Sequence, residues 1–243
     1  MRKSSLFVLF TILLLLFVSC AKETPDDLSN TEQTSDVSSN QQSYMTGICS
    51  KDHVAEFMSV LGEQEMGGLS TGYVLDEEHC YNVTSERIAE ETSAQIFKFS
   101  DSCATFLYLE DQIYPLGEWF GGYGFVNAVP CDFDQDGNTD ILYTYSWGSG
   151  LHRSLVAVFN TKTKENTVIY DSSATDNPQV DLYVSTQSPS INIPDVEMPT
   201  YFVIYTVNVE VLEGNFANLG CVATGMVGSV ESENGVPVFR QAS

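Results

Sequence analysis

The chain has 243 residues, with 33 Asp and Glu against 10 Lys and Arg, and a formal net charge of −23 at pH 7. Nucleic-acid phosphates and anionic lipid headgroups repel such a polyanion, so the composition argues against a nucleic-acid partner. The charge has two readings that both stay open: solubility of an exported protein, and attraction of cations.

The N-terminus has the organisation of an export signal. A basic head, Met1-Arg2-Lys3, precedes an almost unbroken apolar run over residues 6–18 that ends at Ser19-Cys20. A bilayer-spanning helix needs roughly 20 apolar residues, so this run is too short for a permanent span and favours a signal peptide over residues 1–19. Phe17-Val18-Ser19-Cys20 resembles the lipobox of bacterial lipoproteins. The resemblance implies that Cys20 becomes the first mature residue and carries acyl chains such as palmitate, which hold the protein on the outer side of a cell membrane.

Removal of the leader would leave 8 basic residues against 33 acidic ones, a net charge of −25. Ordinary secretion, with Cys20 lost, is the alternative. Residues 20–43 contain mostly Ser, Thr, Asn, Gln and Asp after the cysteine, so they offer too little apolar surface to offset the entropy of ordering. We expect a lipidated Cys20 followed by a disordered tether, and a single domain over residues 44–243.

Two short helices are expected in the first third of the chain. Apolar residues recur at helical spacing at Val54, Phe57, Met58 and Leu61. Ser50 is the expected N-cap of this helix and Gly62 its end. A second helix is expected over residues 85–94.

Further along, the apolar period changes from helical to two, which predicts β-strands. The expected strands cover residues 95–99, 105–109, 141–147, 155–160, 167–170, 182–185, 203–211 and 221–230. Asn234-Gly235, between Val230 and Val238, predicts a two-residue hairpin turn because both turn positions require positive φ. The fold class is therefore mainly β (α+β by content), an antiparallel sheet domain built as a sandwich or a partial propeller.

The stretch from Asp132 to Asp140 carries the most specific chemistry. Carboxylates stand at loop positions one, three, five and nine, as Asp132, Asp134, Asp136 and Asp140. Gly137 allows a sharp bend after the third carboxylate, and the carbonyl of Asn138 completes a set of oxygen ligands that suits a hard cation such as Ca²⁺. Without a cation, carboxylates this close would repel one another strongly.

This stretch is not an EF-hand, because Tyr143 stands where that motif has Glu and a strand follows instead of a helix. It resembles the calcium loop of FG-GAP repeats, also described as VCBS-like, known from integrin α-chain propellers and bacterial surface proteins. The resemblance covers about twenty residues, includes Tyr123-Gly124 in place of Phe-Gly, and occurs once, so it implies the loop but not the propeller. It implies Asp132, Asp134, Asp136, Asn138 and Asp140 as calcium ligands. The alternative is an acidic turn without an ion.

Besides Cys20 the chain has five cysteines, at positions 49, 80, 103, 131 and 221. In an oxidising compartment two disulfides and one free thiol are expected, and a bond between Cys103 and Cys131 would brace the acidic loop. Buried free thiols are the alternative. A zinc site from Cys49, His53, His79 and Cys80 has suitable ligand types, but its spacing argues against it.

Two groups of residues near the loop in the sequence are candidates for binding or catalysis. The segment from Trp147 to Arg153 contains Ser149 and His152 but lacks the Gly-x-Ser-x-Gly of a nucleophile elbow. Seven aromatic residues lie around the loop in the sequence, and core packing is favoured for them over a sugar-binding surface: Trp119, Phe120, Tyr123, Phe125, Tyr143, Tyr145 and Trp147.

Two functions remain. The first is a lipid-anchored, non-catalytic binding or adhesion module with a structural calcium ion, whose partner is a glycan, a peptide or another envelope or host protein. The second is a hydrolase acting on cell-wall or environmental polymers, with Glu110, Asp111 and Glu118 available as acid or base. The absence of a recognisable catalytic set favours the first.

Overall fold

The computed structural model describes residues 43–45, 49–63, 75–174, 179–187 and 201–242. These residues form thirteen strands and two α-helices within one compact unit, Asn40–Ser243. The mainly β, antiparallel fold expected from the sequence is confirmed, and both α-helices lie within residues 54–91. The predicted signal peptide (1–19), the predicted anchor at Cys20 and the predicted tether as far as residue 42 lie outside the described residues, whereas Ser43, the last residue of the predicted tether, begins strand β1.

Three consecutive sheets follow one another along the chain. The N-terminal sheet has the strand order β2-β3-β4-β5. Helix α1 precedes β2 in the chain, and helix α2 lies between β2 and β3. Its elements are α1 (Val54–Glu63), β2 (Cys80–Asn82), α2 (Glu86–Glu91), β3 (Gln95–Phe99), β4 (Thr105–Leu109) and β5 (Gln112–Pro115).

The middle sheet has the order β6-β7-β8-β9, again with neighbours in sequence paired side by side. Its strands are β6 (Gly124–Cys131), β7 (Asp140–Trp147), β8 (Arg153–Asn160) and β9 (Glu165–Asp171). The C-terminal sheet contains β10 (Asp181–Gln187), β11 (Tyr201–Val211), β12 (Leu219–Glu233) and β13 (Val236–Gln241), and the short strand β1 (Ser43–Met45) joins it by pairing with β12.

The middle sheet is covered on both faces, which explains why β7 and β8 are buried along most of their length. Because side chains alternate along a strand, Tyr143 and Phe159 pack toward the N-terminal sheet, whereas Leu142 and Val158 pack toward the C-terminal sheet. Helix α1 inserts Phe57 against the outer face of the N-terminal sheet, where its ring stacks on Phe97 at 4.2 Å. The result is a stack of three antiparallel sheets, of four, four and five strands.

The local signals differ in how well they match the structure. Asn234 and Gly235 have φ values of 54° and 82° and form the predicted two-residue turn between β12 and β13. The second helix is formed but is shorter than the expected 85–94: Ser85 caps α2, accepting a hydrogen bond from the Ile88 N–H, and the helix ends at Glu91. The prediction that Ser50 caps α1 is wrong: Ser50 forms a β-bridge with Asn82, and the helix begins at Val54.

Neither α1, α2 nor any other helix in the described parts of the chain combines the length and apolar character needed to cross a bilayer.

Candidate metal site

The acidic loop, residues 132–139, connects β6 to β7 at one end of the middle sheet. Cys131 and Asp140 pair across its base, so the loop closes an antiparallel hairpin between two buried strands. Within it Phe133 points inward and is 4% exposed, whereas the acidic side chains of Asp132, Asp134 and Asp136 face solvent. The buried strands therefore hold the ends of the loop, and the buried side chain of Phe133 anchors its first half.

Short-range hydrogen bonds hold the aspartate side chains against the backbone of the loop. Asp134 Oδ1 accepts from the Asp136 N–H at 3.2 Å, and Asp136 Oδ1 accepts from the Asn138 N–H at 2.8 Å. Asp132 Oδ2 accepts from the Gly137 N–H at 3.2 Å, across the bend. Gly137 has φ +81°, as expected for the sharp turn, since residues with a Cβ rarely adopt that conformation.

Three of the predicted ligands converge. Carboxylate oxygens of Asp132, Asp134 and Asp136 lie within 4.8 Å of one another, and in the described parts of the chain this is the one such group of three Asp, Glu, His or Cys side chains. Three like charges at this separation destabilise one another unless a cation lies among them. The arrangement could hold a metal ion through hard oxygen ligands, which favours a cation of the calcium or magnesium type over a soft metal.

The other two predicted ligands are placed differently. Asn138 donates its Nδ2–H to Asp136 Oδ1 at 2.8 Å. Asp140 is 4% exposed and lies outside the group of three. Its carboxylate accepts from Asn160 Nδ2 at 3.1 Å and from the Thr161 N–H at 2.9 Å, so it fixes the turn between β8 and β9.

A lysine already approaches the acidic group. Lys162 Nζ, from the turn between β8 and β9, donates to Asp136 Oδ2 at 2.8 Å. This hydrogen bond and those from Asn138 lower the pKa of Asp136 to about 2, and Asp136 in turn raises the pKa of Lys162. Burial has the opposite effect on Asp140, whose pKa is raised. The ammonium group of Lys162 therefore offsets part of the charge that a metal ion would neutralise.

The C-terminal hairpin braces the loop from the other side. Ser232 Oγ donates to the carbonyl of Phe133 at 2.5 Å, and a Cβ added to Gly235 would lie 3.3 Å from Asp134. Residues about a hundred positions apart thus meet at the acidic loop. Sequence spacing contains no signal for this contact, because it depends on how two separate sheets pack.

The cysteine predictions need correction. All five cysteines in the described residues are free thiols, so the two expected disulfides are not formed, and neither is the possible bond between Cys103 and Cys131. Cys131 packs in the core between the middle and C-terminal sheets, while Cys103 Sγ contacts the carbonyl of Gly122. Burial raises the pKa of both thiols, which keeps them protonated. The alternative of free thiols describes the structure, with four of the five buried and Cys49 half-buried.

The imagined zinc ligands are engaged separately. His79 Nδ1 lies 2.8 Å from Asp76 Oδ1, and His53 Nδ1 lies 3.4 Å from Glu56 Oε2. Cys80, the first residue of β2, is fully buried in the cluster that also contains Phe57 of α1. In the described parts of the chain these four residues do not form a group of three converging ligands.

The residues considered for catalysis are also dispersed. Lys164 forms an ion pair with Glu110 at 3.0 Å, and Asp111 accepts from the Tyr108 hydroxyl at 2.9 Å. The turn that follows β7 lies at the opposite end of the middle sheet from the acidic loop. There His152 Nε2 lies 3.0 Å from Asp181 Oδ1 at the start of β10. This pair joins the middle and C-terminal sheets and raises the pKa of His152.

Most of the aromatic residues are core residues, as favoured from the sequence. Phe125, Tyr143 and Tyr145 are buried between the N-terminal and middle sheets, and the Trp119 ring packs on Phe106 at 5.4 Å. Phe120 is the exception at 62% exposed, in a loop joined to Gly148 at the end away from the acidic loop. The aromatic residues therefore do not line the candidate metal site.

Comparison of the chain with protein-family models, with curated proteins and with solved structures finds no match.

Proposed function

We propose that this protein is an exported lipoprotein, anchored in a membrane through Cys20, whose domain is a non-catalytic binding module stabilised by a calcium ion in the acidic loop. The observation that supports the calcium site is the convergence of Asp132, Asp134 and Asp136 within 4.8 Å at the tip of a hairpin with buried strands. The leader and the lipobox-like residues support the anchor.

The choice of calcium rests on ligand chemistry and on the shape of the loop. Calcium takes about six to eight oxygen ligands in flexible geometry, so exposed carboxylates, backbone carbonyls and water together provide a suitable shell. The residues that would hold the ion are Asp132, Asp134 and Asp136, with the carbonyl of Asn138 beside them. When bound, the ion would relieve the repulsion of the three carboxylates and fix the connection between β6 and β7.

In this proposal Asp140 has a supporting role. Its carboxylate holds the turn that carries Lys162, and Lys162 contacts Asp136. Asp140 therefore acts on the site through the neighbouring turn. The earlier assignment of Asp140 as a ligand remains a prediction, which a comparison of variants at positions 134 and 140 would test.

The anchor is tested by producing the full chain in a bacterial host and measuring the mass of the N-terminal peptide from the membrane fraction. We expect a diacylglycerol-modified Cys20 as the first residue, and a Cys20→Ser variant that leaves the membrane fraction. An unmodified chain in the soluble fraction would remove the lipoprotein part of the proposal.

The metal site is tested by thermal unfolding with calcium and with EDTA. We expect calcium to raise the melting temperature of the wild type, and Asp134→Asn to abolish that response. Asp101→Asn is the matched control, because Asp101 is an exposed aspartate in the turn after β3, away from the loop. A control variant that lost the response as well would show that calcium acts through general surface charge.

A further inference from the structure

A cleft of about 700 Å³ opens beside the acidic loop. Its floor is apolar and buried, with Phe133 from the loop, Phe202 from β11 and Val230 from β12. Helix α2 forms one wall and the outer ends of β11 and β12 form the other. The cleft is thus lined by three separate parts of the chain, and a concave surface with an apolar lining and a few polar groups is the usual form of a ligand-binding site.

The rim of this cleft is acidic. Asp132, Glu231 and Glu91 contribute carboxylates, and among the described residues that line the cleft Arg87 is the one cation. The guanidinium of Arg87 is already held by Glu91, at 3.1 Å from Nε and 2.9 Å from Nη2 to Oε1, and by the Thr186 hydroxyl at 2.9 Å. Asp132 and Glu231 are exposed, so their charge faces whatever enters the cleft.

An aromatic ring stands at the same rim. Tyr201, at the start of β11, is 40% exposed although its neighbour Phe202 is 5% exposed. A cation over an aromatic face is attracted by the ring quadrupole, so Tyr201 adds to the selectivity of the carboxylates for positive charge. Apolar floor, acidic rim and exposed ring together describe a site for a ligand with both basic and apolar groups.

We infer that this cleft binds a basic peptide segment, whose Lys or Arg side chains meet Glu231, Asp132 and Tyr201 and whose apolar side chains contact Phe133 and Phe202. The inference names the class of partner for the binding role and in that respect rests on the proposed function. Complementary charge guides such a ligand to the cleft, because the chain as a whole has a net charge of −23. An extended peptide suits the cleft, since alternate residues point to opposite sides and separate basic from apolar groups.

The cleft and the metal site share one residue. Asp132 belongs to the group of three carboxylates and also lines the cleft. An ion held by the loop would neutralise part of the acidic rim, so calcium should weaken the binding of a basic peptide without abolishing it. This link lets the two proposals fail separately.

The test is calorimetric titration of the mature chain with a capped peptide of alternating Arg and Leu, six residues long, in EDTA. The same peptide with Glu in place of Arg, and the neutral sugar cellotriose, are the comparison ligands. We expect binding of the Arg-Leu peptide, weakened by added salt, and no binding of the Glu-Leu peptide. Binding of cellotriose in the cleft without binding of the basic peptide would overturn the inference in favour of a glycan site.

Variants separate the cleft from general attraction by a polyanion. Glu231→Lys places a like charge against the peptide and should weaken binding at least about tenfold. Glu210→Lys makes the same change of charge at an exposed position of β11 at the other end of the sheet, and should change the affinity less than about twofold. Tyr201→Ala should weaken binding roughly two- to fivefold. Equal effects of the two lysine variants would overturn the inference, because they would show binding to the surface at large.

The same peptide titration in saturating calcium separates the proposed cleft from the proposed calcium site. A weaker peptide affinity in saturating calcium is expected if both proposals hold. Unchanged peptide affinity, with the variant effects above intact, would support the cleft and count against the calcium site. Absence of peptide binding from a protein that still binds calcium would overturn the cleft alone.

Discussion

Asn127 of β6 binds both backbone polar groups of Val184 on β10. Its Nδ2 donates to the Val184 carbonyl at 2.7 Å, and its Oδ1 accepts from the Val184 N–H at 3.0 Å. The Thr144 hydroxyl donates to the same Oδ1 at 2.9 Å. One buried amide side chain therefore takes the place of a neighbouring strand at the edge of the C-terminal sheet, and fixes how that sheet packs on the middle one.

Replacing this amide should be costly. Asn127→Ala leaves the Val184 N–H and carbonyl buried without the amide, and we expect the free energy of unfolding to fall by roughly 2–4 kcal/mol. Asn208→Ala, at an exposed position of β11, is the control and should change stability by less than about 0.5 kcal/mol. Urea unfolding measures both. Equal stability of the two variants would mean that the hydrogen bonds between Asn127 and Val184 contribute nothing to the free energy of unfolding.

Gly124 is required by a close approach of two sheets. It has φ +63°, and a Cβ there would clash with the carbonyl oxygen of Cys103 in the turn between β3 and β4. Gly124→Ala should therefore lower the free energy of unfolding by about 1–3 kcal/mol. Gly150→Ala is the control, because that position has no heavy atom within 4 Å of the added Cβ. Melting temperatures of the two variants measure the difference, and a stable Gly124→Ala protein would contradict the close packing described.

The contact between His152 and Asp181 makes stability depend on pH. The hydrogen bond to Asp181 raises the pKa of His152 above 6.5 in the folded state. A raised pKa means that the folded state binds the proton more tightly, so this contribution is present below pH 6.5 and is lost as pH rises through the folded-state pKa.

The measurement compares melting temperatures of the wild type and of Asp181→Asn at about pH 5.5 and about pH 8.5. The wild type should exceed the variant by more at the lower pH. A difference that is the same at both values would show that the pair gives no stability linked to protonation.

Lys162 competes with any cation for Asp136. Its ammonium lies 2.8 Å from Asp136 Oδ2, so Lys162→Met should strengthen calcium binding by removing a positive charge from the site. Lys164→Met, whose ammonium pairs with Glu110 instead, is the matched control and should have a smaller effect. Calcium titration of the three proteins measures the order. Weaker binding by Lys162→Met would indicate that the lysine orders the loop more than it competes.

Local patterns in the sequence predicted eight of the strands and the turn between β12 and β13. Gln95–Phe99 and Thr105–Leu109 have the expected bounds, and each of the other predicted strands differs at one or both ends by one to three residues. β6 was not predicted, because Pro130 and a bulge near Phe125 interrupt its alternation. The short strands β1, β2 and β5 contain too few residues to show a period.

The sequence could not show which side chains become buried when separate sheets pack together. Lys98 occupies a strand position that faces the interior, where burial lowers its pKa to about 8 and its Nζ donates to the Phe125 carbonyl. A lysine in an alternating pattern predicts a solvent-facing side, and only the packing of a second sheet reverses that expectation. Asp140 is a similar case, since its partners at Asn160 and Thr161 come from the next turn of the sheet.

The sequence predicted the three aspartates of the candidate site but not the residues that contact them from other parts of the chain. Alternation within the loop brings Asp132, Asp134 and Asp136 together, and this spacing is visible in the sequence. Lys162 and the hairpin at Gly235 reach the loop from elsewhere in the chain. Their approach follows from sheet order, which local patterns do not specify.

The most direct test of the calcium site is calorimetric titration of calcium into the metal-free chain, beside Asp134→Asn and Asp140→Asn. The account predicts one saturable site in the wild type, its loss in Asp134→Asn, and its retention with reduced affinity in Asp140→Asn. A wild type that takes up no calcium while its melting temperature stays the same in EDTA would contradict it.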